Sequence, residues 1–287
     1  MRFKSLGFII LIVMSIISCE KYSLESLLDE STNKNKTSNI SFDVFFNDQP
    51  STKSESSVIE TGDCDKVDFS LFRIEDCDSP DEALEKLYDS KKTKWSLFAR
   101  VEQTSDEADF GSFNIKNIPY GVYAAIAIAH SNSTHALIHS PISADFNGSV
   151  PDTYCASKIL FVCDTTTLHQ ILDLNQITCR LNLKYHRETD NDIKTMVLQT
   201  TGGSTSFNPL TGYSAGSVIS NREMIFDIAT DKQDPSVLSF NTFIPSDDSK
   251  LVVIAIARNA NDDVEWSVPF SNIMMNKNTT IEKDINR

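Results

Sequence analysis

Three of the five histidines lie close together in the sequence, at His130, His135 and His139. Imidazole is a common metal ligand, so this group is the clearest opportunity for metal chemistry in the chain. An HExxH pattern, which would place two histidines and a glutamate on one helix, does not occur. We therefore predict a polar loop and strand edge here, and no metal site.

Sequence patterns for covalent or phosphate chemistry are also missing. The chain has no GxSxG, no P-loop and no dinucleotide fingerprint, and Gly202-Gly203 indicates a flexible loop. Its 40 acidic residues are scattered, as on a solvated surface. We predict that the protein is not an enzyme, has no catalytic residues and needs no cofactor, while calcium binding stays open.

The cysteines fall into two groups, Cys19 near the N-terminus and five others in the rest of the chain. Beyond Cys19 there are five cysteines, an odd number, so at least one thiol cannot form an internal disulfide. Cys64 and Cys77 lie in polar segments on either side of one predicted strand, and they are the first pair to test. Cys179 falls in an apolar row and is predicted to be a small buried side chain rather than a nucleophile.

The first 18 residues have the layout of a secretory signal. Arg2 and Lys4 precede an almost wholly apolar run that is too short to span a bilayer comfortably. The run ends in Ile16-Ile17-Ser18-Cys19, which resembles the bacterial lipobox, where cleavage before the cysteine is coupled to its lipidation. An ordinary secretory signal is the alternative. We predict a lipoprotein signal peptide over residues 1–18 and a lipid on Cys19.

Charge and composition narrow the possible partners. Residues 1–18 carry two basic and no acidic side chains, so the formal net charge of −14 becomes −16 after cleavage. Such acidity argues against nucleic acid as a partner, because nucleic-acid binding relies on clustered lysine and arginine. Residues 19–39 are polar and indicate a flexible lipidated stalk. Glu20 gives no inner-membrane retention signal, so we expect the outer membrane and a surface-exposed protein.

Most of the remaining chain has the pattern of β-strands. From Ile177 to His186, apolar and polar residues alternate strictly, which predicts a strand with one buried face. Val122–Ala129 and Leu251–Ala257 are apolar on both faces and are predicted to be central strands. Only Pro80–Ser90 has a helix signature, with Ser79 as the N-cap and Glu82 completing a capping box.

A weak internal repeat suggests that the fold is duplicated. Ser112-Phe113-Asn114 recurs as Ser239-Phe240-Asn241, and the apolar run that starts at Ile126 recurs at Ile254, both about 127 residues later. Pro141 and Pro269 have nearly the same separation. Chance similarity between β-rich segments is the alternative. We predict an all-β protein with two tandem β-sandwich domains, at residues 40–166 and 167–287.

Three local patterns resemble the fimbrillin superfamily of type V pili. They are the strand and aromatic-Gly-x-Tyr turn of Phe113–Tyr123, the strand Ile177–Tyr185, and Val268-Pro269-Phe270 followed by Asn276–Thr280. The resemblance covers nearly the whole chain and is greatest to the anchor and minor subunits. It implies two transthyretin-like sandwiches, other fimbrial subunits as partners, and joining of subunits by β-strand addition.

The same resemblance indicates which kind of subunit this is. Polymerising members are cut after an arginine in the first strand, but no arginine lies between Cys19 and Arg73. The chain also stops at Arg287, directly after the last predicted strand. Both departures favour a lipid-anchored anchor or accessory subunit, although cleavage near Lys53 would restore the polymerising interpretation. Ile40, Phe42, Val44 and Phe46 are predicted to occupy or gate the groove, or else to form a permanent first strand.

A glycan-binding surface lipoprotein of a polysaccharide-uptake system is the competing function. Exposed tryptophans can stack on sugar rings, and Trp95 and Trp266 are the two available. Each falls within a predicted strand, where core packing is as reasonable as exposure. A receptor on a host or bacterial surface is a further partner that the sequence leaves open.

Overall fold

The computed structural model describes residues 36–46, 64–89, 93–163, 167–186, 192–215, 222–228 and 235–285. The predicted signal peptide, Cys19, Lys53 and the stalk up to residue 35 lie outside these ranges. Strands dominate, so the all-β prediction is confirmed. The elements are Thr37–Phe46 (β1), Lys66–Ile74 (β2), Pro80–Tyr88 (α1), Trp95–Thr104 (β3), Ser112–Pro119 (β4), Gly121–His130 (β5), Leu137–Ser140 (β6), Ser143–Asp145 (β7), Thr153–Val162 (β8), Leu168–Gln176 (β9), Cys179–Tyr185 (β10), Ile193–Thr201 (β11), Ser206–Phe207 (β12), Arg222–Asp227 (β13), Ser236–Thr242 (β14), Ser249–Asn259 (β15), Val264–Met275 (β16) and Thr279–Asp284 (β17).

The first sandwich is one seven-stranded sheet bent into two layers. Its order is β3-β2-β5-β8-β9-β1-β4, and β8 pairs with β9 only at Tyr154–Gln176 and Cys155–Asn175. Beyond that short ladder, β9-β1-β4 packs over β3-β2-β5-β8, and inward side chains from both layers share one core.

The second sandwich repeats this topology with a β14-β10-β17 layer and a β13-β11-β15-β16 layer. Strands β1 and β10 correspond, because each has one antiparallel and one parallel neighbour. The duplication extends to the register. Phe42 lies opposite Phe113 in the first sandwich, and Leu181 lies opposite Phe240 in the second. The repeat found in the sequence is therefore a structural one.

Two details of the repeat differ from expectation. Pro269 lies in β16, whereas Pro141 lies in the turn between β6 and β7, so these two prolines are not equivalent. Strand β9 pairs with β1 and β8 in the first sandwich, although the predicted boundary between residues 166 and 167 assigns it to the second. The ladder favours a join after Gln176, because a strand belongs to the sheet that satisfies its backbone.

The face of β2, β5 and β8 that points away from the first core is covered by additional elements, which we call the outer layer. Helix α1 contributes Ala83 and Leu87, the β6–β7 hairpin contributes Ile138 and Ala144, and more distant residues complete a buried cluster. Strand β12, from between β11 and β13, adds to this hairpin by pairing with β7. The two sandwiches therefore share a three-stranded sheet as well as a linker.

Helix α1 begins as predicted and ends slightly earlier. The Ser79 hydroxyl accepts a hydrogen bond from the Glu82 amide at 3.2 Å. The Glu82 carboxylate accepts from the Asp78 amide at 3.0 Å rather than from Ser79, so the capping box is shifted by one residue on that side. The helix ends at Tyr88.

Candidate functional site

Strand β1 carries the residues predicted to occupy a groove, and it lies in the middle of its layer. It pairs antiparallel with β4 and parallel with β9, so strands on both sides satisfy its backbone. Its partners in β9 lie more than 120 residues along the chain. Long-range pairing of this kind depends on the folded sheet, because local contacts alone cannot maintain it.

The inward face of β1 forms part of the first core. Ile40, Phe42 and Val44 are fully buried, while Phe46 is half-buried and meets Tyr154 edge-on at 4.8 Å between ring centroids. Phe42 lies 4.9 Å from the ring of Phe69. Burying such side chains contributes about 1.5–3 kcal/mol each. Loss of β1 would therefore expose an apolar groove between β4 and β9.

Polar residues on the outward face attach β1 to both neighbours, which the sequence did not reveal. The Asp43 carboxylate accepts from the Ser112 hydroxyl at 2.6 Å and lies 2.6 Å from Nε2 of His169. The Asn39 side chain accepts from the Asn117 amide at 3.0 Å. Asp43 thus connects β4, β1 and β9.

The first arginine after Cys19 lies in a fully paired strand. Arg73 is in β2, opposite Ser96 of β3 and Tyr123 of β5. Proteases require an extended, accessible backbone, and neither edge of β2 offers one at this position. Cleavage after Arg73 would require local unfolding of the first sandwich.

The Cys64–Cys77 pair that was to be tested first for a disulfide does not fit the fold. The two residues lie at opposite ends of β2, whose nine residues span about 30 Å. A disulfide needs Cα atoms within about 7 Å. Burial raises the pKa of Cys155 to about 12. Cys179 is buried as predicted, and its burial also raises the pKa of its thiol.

The clustered histidines are held by carboxylates of the fold. Asp68 is buried, and its two carboxylate oxygens lie 2.9 Å from Nε2 of His130 and 2.6 Å from Nδ1 of His135. The Asn132 amide donates to Nδ1 of His130, so Nε2 of His130 carries the proton. His130 is fully buried, which corrects the expectation of a polar loop at that position. His139 bonds separately to Asp145.

Neither tryptophan forms an open sugar platform. Trp95 packs against the outer layer of the first sandwich, and Trp266 lies against the second core, 5.9 Å from the ring of Tyr185.

The Gly202-Gly203 pair is more tightly packed than the flexible loop that the sequence predicted. A side chain on Gly203 would come within 2.1 Å of the Thr242 hydroxyl, because the Thr242 side chain packs directly against the glycine backbone.

No known family profile matches the chain, and no curated protein matches it. Among solved structures, it is similar to a protein of Bacteroides ovatus ATCC 8483 that is provisionally described as an adhesin. The identity is 11%, the TM-score is 0.49, and 88% of this chain and 93% of that chain are covered.

Two further structures are similar to this chain. A protein of Bacteroides thetaiotaomicron VPI-5482, provisionally described as polysaccharide-binding, matches at 9% identity and a TM-score of 0.45, over 80% of both chains. The fimbrial anchor protein Mfa2 from Porphyromonas gingivalis matches at 8% identity and a TM-score of 0.41, over 81% of this chain and 82% of that one. Among the described residues, no helix has the length and apolar character needed to cross a membrane.

Proposed function

We propose that this protein is a non-enzymatic subunit of a fimbrial or adhesive surface structure, lipid-anchored in the outer membrane through Cys19. Within that class we propose an anchor or accessory subunit, which joins other fimbrial subunits by β-strand addition. Main-chain hydrogen bonds would supply affinity, and alternate apolar side chains would supply register.

The observation that carries this proposal is the integration of β1 into the first sandwich. Ile40, Phe42 and Val44 are buried, and both edges of β1 are paired. A subunit that loses its first strand needs a cleavage site ahead of a stable fold, whereas the first arginine after Cys19, Arg73, lies inside β2. These features favour a chain that keeps β1 in its own groove.

The anchoring step is tested in cells that assemble the fimbria. Cys19→Ala should abolish acylation and release the protein from the outer membrane, while Cys77→Ala serves as the matched control. Mass spectrometry of the purified fimbria should then find an intact chain that begins with lipidated Cys19. A mature N-terminus beyond residue 46 would overturn the anchor role and favour a shaft or tip subunit.

The role of β1 is tested with two neighbouring phenylalanines that point in opposite directions. Phe42 is 0% exposed and Phe45 is 37% exposed. Phe42→Asp should release β1 and let a synthetic peptide of residues 37–46 bind, because it opens the groove, whereas Phe45→Asp should leave the groove closed. Equal peptide binding by both variants, or by neither variant when both remain folded, would argue against a groove filled by β1.

A further inference from the structure

Among its described residues, the second sandwich has an open seam that is closed in the first. Strands β3 and β4 are the outer strands of their layers, and the Gln103 side chain bridges the gap between them. Its amide oxygen accepts from the Gly111 amide at 2.8 Å, and its nitrogen donates to the carbonyls of Asp109 and Ser112. The corresponding strands β13 and β14 border a cleft of about 440 Å³ instead.

The cleft has an apolar floor and a cationic wall. Met224 and Phe226 from β13 and Phe240 from β14 form the floor, and two arginines reach it from β10 and β13. Its volume lies in the range typical of small-molecule sites. This combination is unusual in a chain whose formal net charge is −14.

The two arginines differ in whether a carboxylate neutralises their charge. Arg180 is neutralised by an ion pair with Asp152, and its Nε also donates to the Asn241 side chain at 3.3 Å. The guanidinium of Arg222 donates to the Gly148 carbonyl at 3.0 Å and makes no ion pair with any described residue. Burial lowers the pKa of Arg222, but a guanidinium stays charged at neutral pH. A half-buried cation without a counter-ion is costly, and an anion against it would relieve that cost.

We infer that this seam binds a carboxylate-bearing sugar, such as a hexuronic acid residue of an acidic glycan. The Arg222 fork matches the two oxygens of a carboxylate. The floor of Met224, Phe226 and Phe240 offers apolar surface to one face of the ring, and the Asn241 amide is a partner for ring hydroxyls. A bare phosphate would leave this apolar surface unused. The site involves neither β1 nor Cys19, so it is independent of the proposed anchor function.

The test uses the full chain in detergent and calorimetric titration with D-galacturonate. Galacturonate should bind, while galactose and acetate should each bind at least ten-fold more weakly, because each lacks half of the recognised chemistry. Arg222→Gln should weaken galacturonate binding by about ten- to a hundred-fold, the loss typical of a charge-assisted hydrogen bond. Arg258→Gln is the matched control, since Arg258 is a surface arginine paired with Asp262 on the same sandwich.

The Arg222→Lys variant and a titration with inorganic phosphate extend this test. If Arg222→Gln does not fold, Arg222→Lys should fold and bind galacturonate more weakly than the original chain, because it keeps the charge and loses the fork. Equal binding of galactose, tighter binding of inorganic phosphate, or full binding by a folded Arg222→Gln variant would each overturn the proposal. So would the absence of galacturonate binding to the native chain.

Discussion

The two sandwiches share a strand order and a register, but they differ in what covers their central strands. Val122–Ala129 in β5 is buried on both faces. In β15, which carries the same apolar run, one face packs into the core and the other remains partly open, with Val252 40% exposed. Both strands are central in their sheets, as predicted, but only β5 is covered on both faces. The apolar pattern of a strand does not by itself determine which of its faces other elements will cover.

The cover on the first sandwich comes from insertions into the repeated plan. Helix α1 lies between β2 and β3, and the β6–β7 hairpin lies between β5 and β8. The insertion between β11 and β13 packs on the first sandwich through β12 rather than over its own sheet. Phe207 and Phe243, from the second half, pack there with tilted rings whose centroids lie 4.4 Å apart. One sandwich thus supplies part of the other's outer layer.

The largest expected loss of stability comes from replacing Asp68, the buried carboxylate beneath the outer layer. Asp68 lies opposite Ile128 in β5, and its counterpart in the second sandwich is Val197, opposite Ile256 in β15. Asp68→Ala should lower the free energy of unfolding by about 3–5 kcal/mol, because it leaves His130 and the Ala136 amide without their acceptor. Urea denaturation measures this change.

An exposed histidine–carboxylate pair provides the control for Asp68. Asp145→Ala breaks the bond to His139 on the surface and should cost no more than about 1 kcal/mol. Similar losses for the two variants would show that the Asp68 cluster is not a buried determinant of the first sandwich.

The second prediction compares equivalent isoleucines directly. Ile126 is 0% exposed under the outer layer, while Ile254 occupies the same repeat position on the partly open face. Ile126→Ala should cost about 2–5 kcal/mol, as for large-to-small core changes, and Ile254→Ala should cost less than about 1.5 kcal/mol. Thermal and urea unfolding of both variants measures the difference. Equal costs would mean that the face of β15 is covered in solution.

The third prediction concerns Gly203, where the chain leaves β11 and continues to β12 in the outer layer of the first sandwich. Gly203→Ala should lower the free energy of unfolding by about 1–3 kcal/mol, because the new methyl group would collide with Thr242. The double variant Gly203→Ala/Thr242→Ala should show a favourable coupling in a double-mutant cycle, since it removes the hydroxyl that is hit first. Strict additivity would place the cost elsewhere.

The smallest effect involves a surface pair in the second half. The Tyr213 hydroxyl donates to Asp247 at 2.6 Å, which raises the pKa of Tyr213 and lowers the pKa of Asp247. The stabilisation is lost as pH falls through the lowered pKa of Asp247 and as pH rises through the raised pKa of Tyr213. Asp247→Asn should therefore bring the pKa of Tyr213 down, as followed by tyrosinate absorbance with Tyr213→Phe as the blank. An unchanged titration would contradict the pairing.

Local signals predicted most elements that have a strong pattern of their own. The alternation of Ile40, Phe42 and Val44 was enough to predict the strand and its buried face, and Ser79-Pro80 was enough to predict the start of the helix. Strands β6, β7, β8, β9 and β12 were not predicted, because their segments are short or mix polar and apolar residues without a clear period. Asp43 was missed because its partners lie 69 and 126 residues away.

By itself, the sequence determined the strand-rich class, the duplicated plan and the apolar face of β1, since these follow from residue type and short spacing. Only the tertiary structure decided that β9 belongs to the first sandwich, that β12 crosses to cover it, and that Arg222 lies in an open seam while Gln103 closes the equivalent one. The physical reason is that pairing and burial depend on which distant segments meet, and a period of two residues carries no information about the partner on the other side.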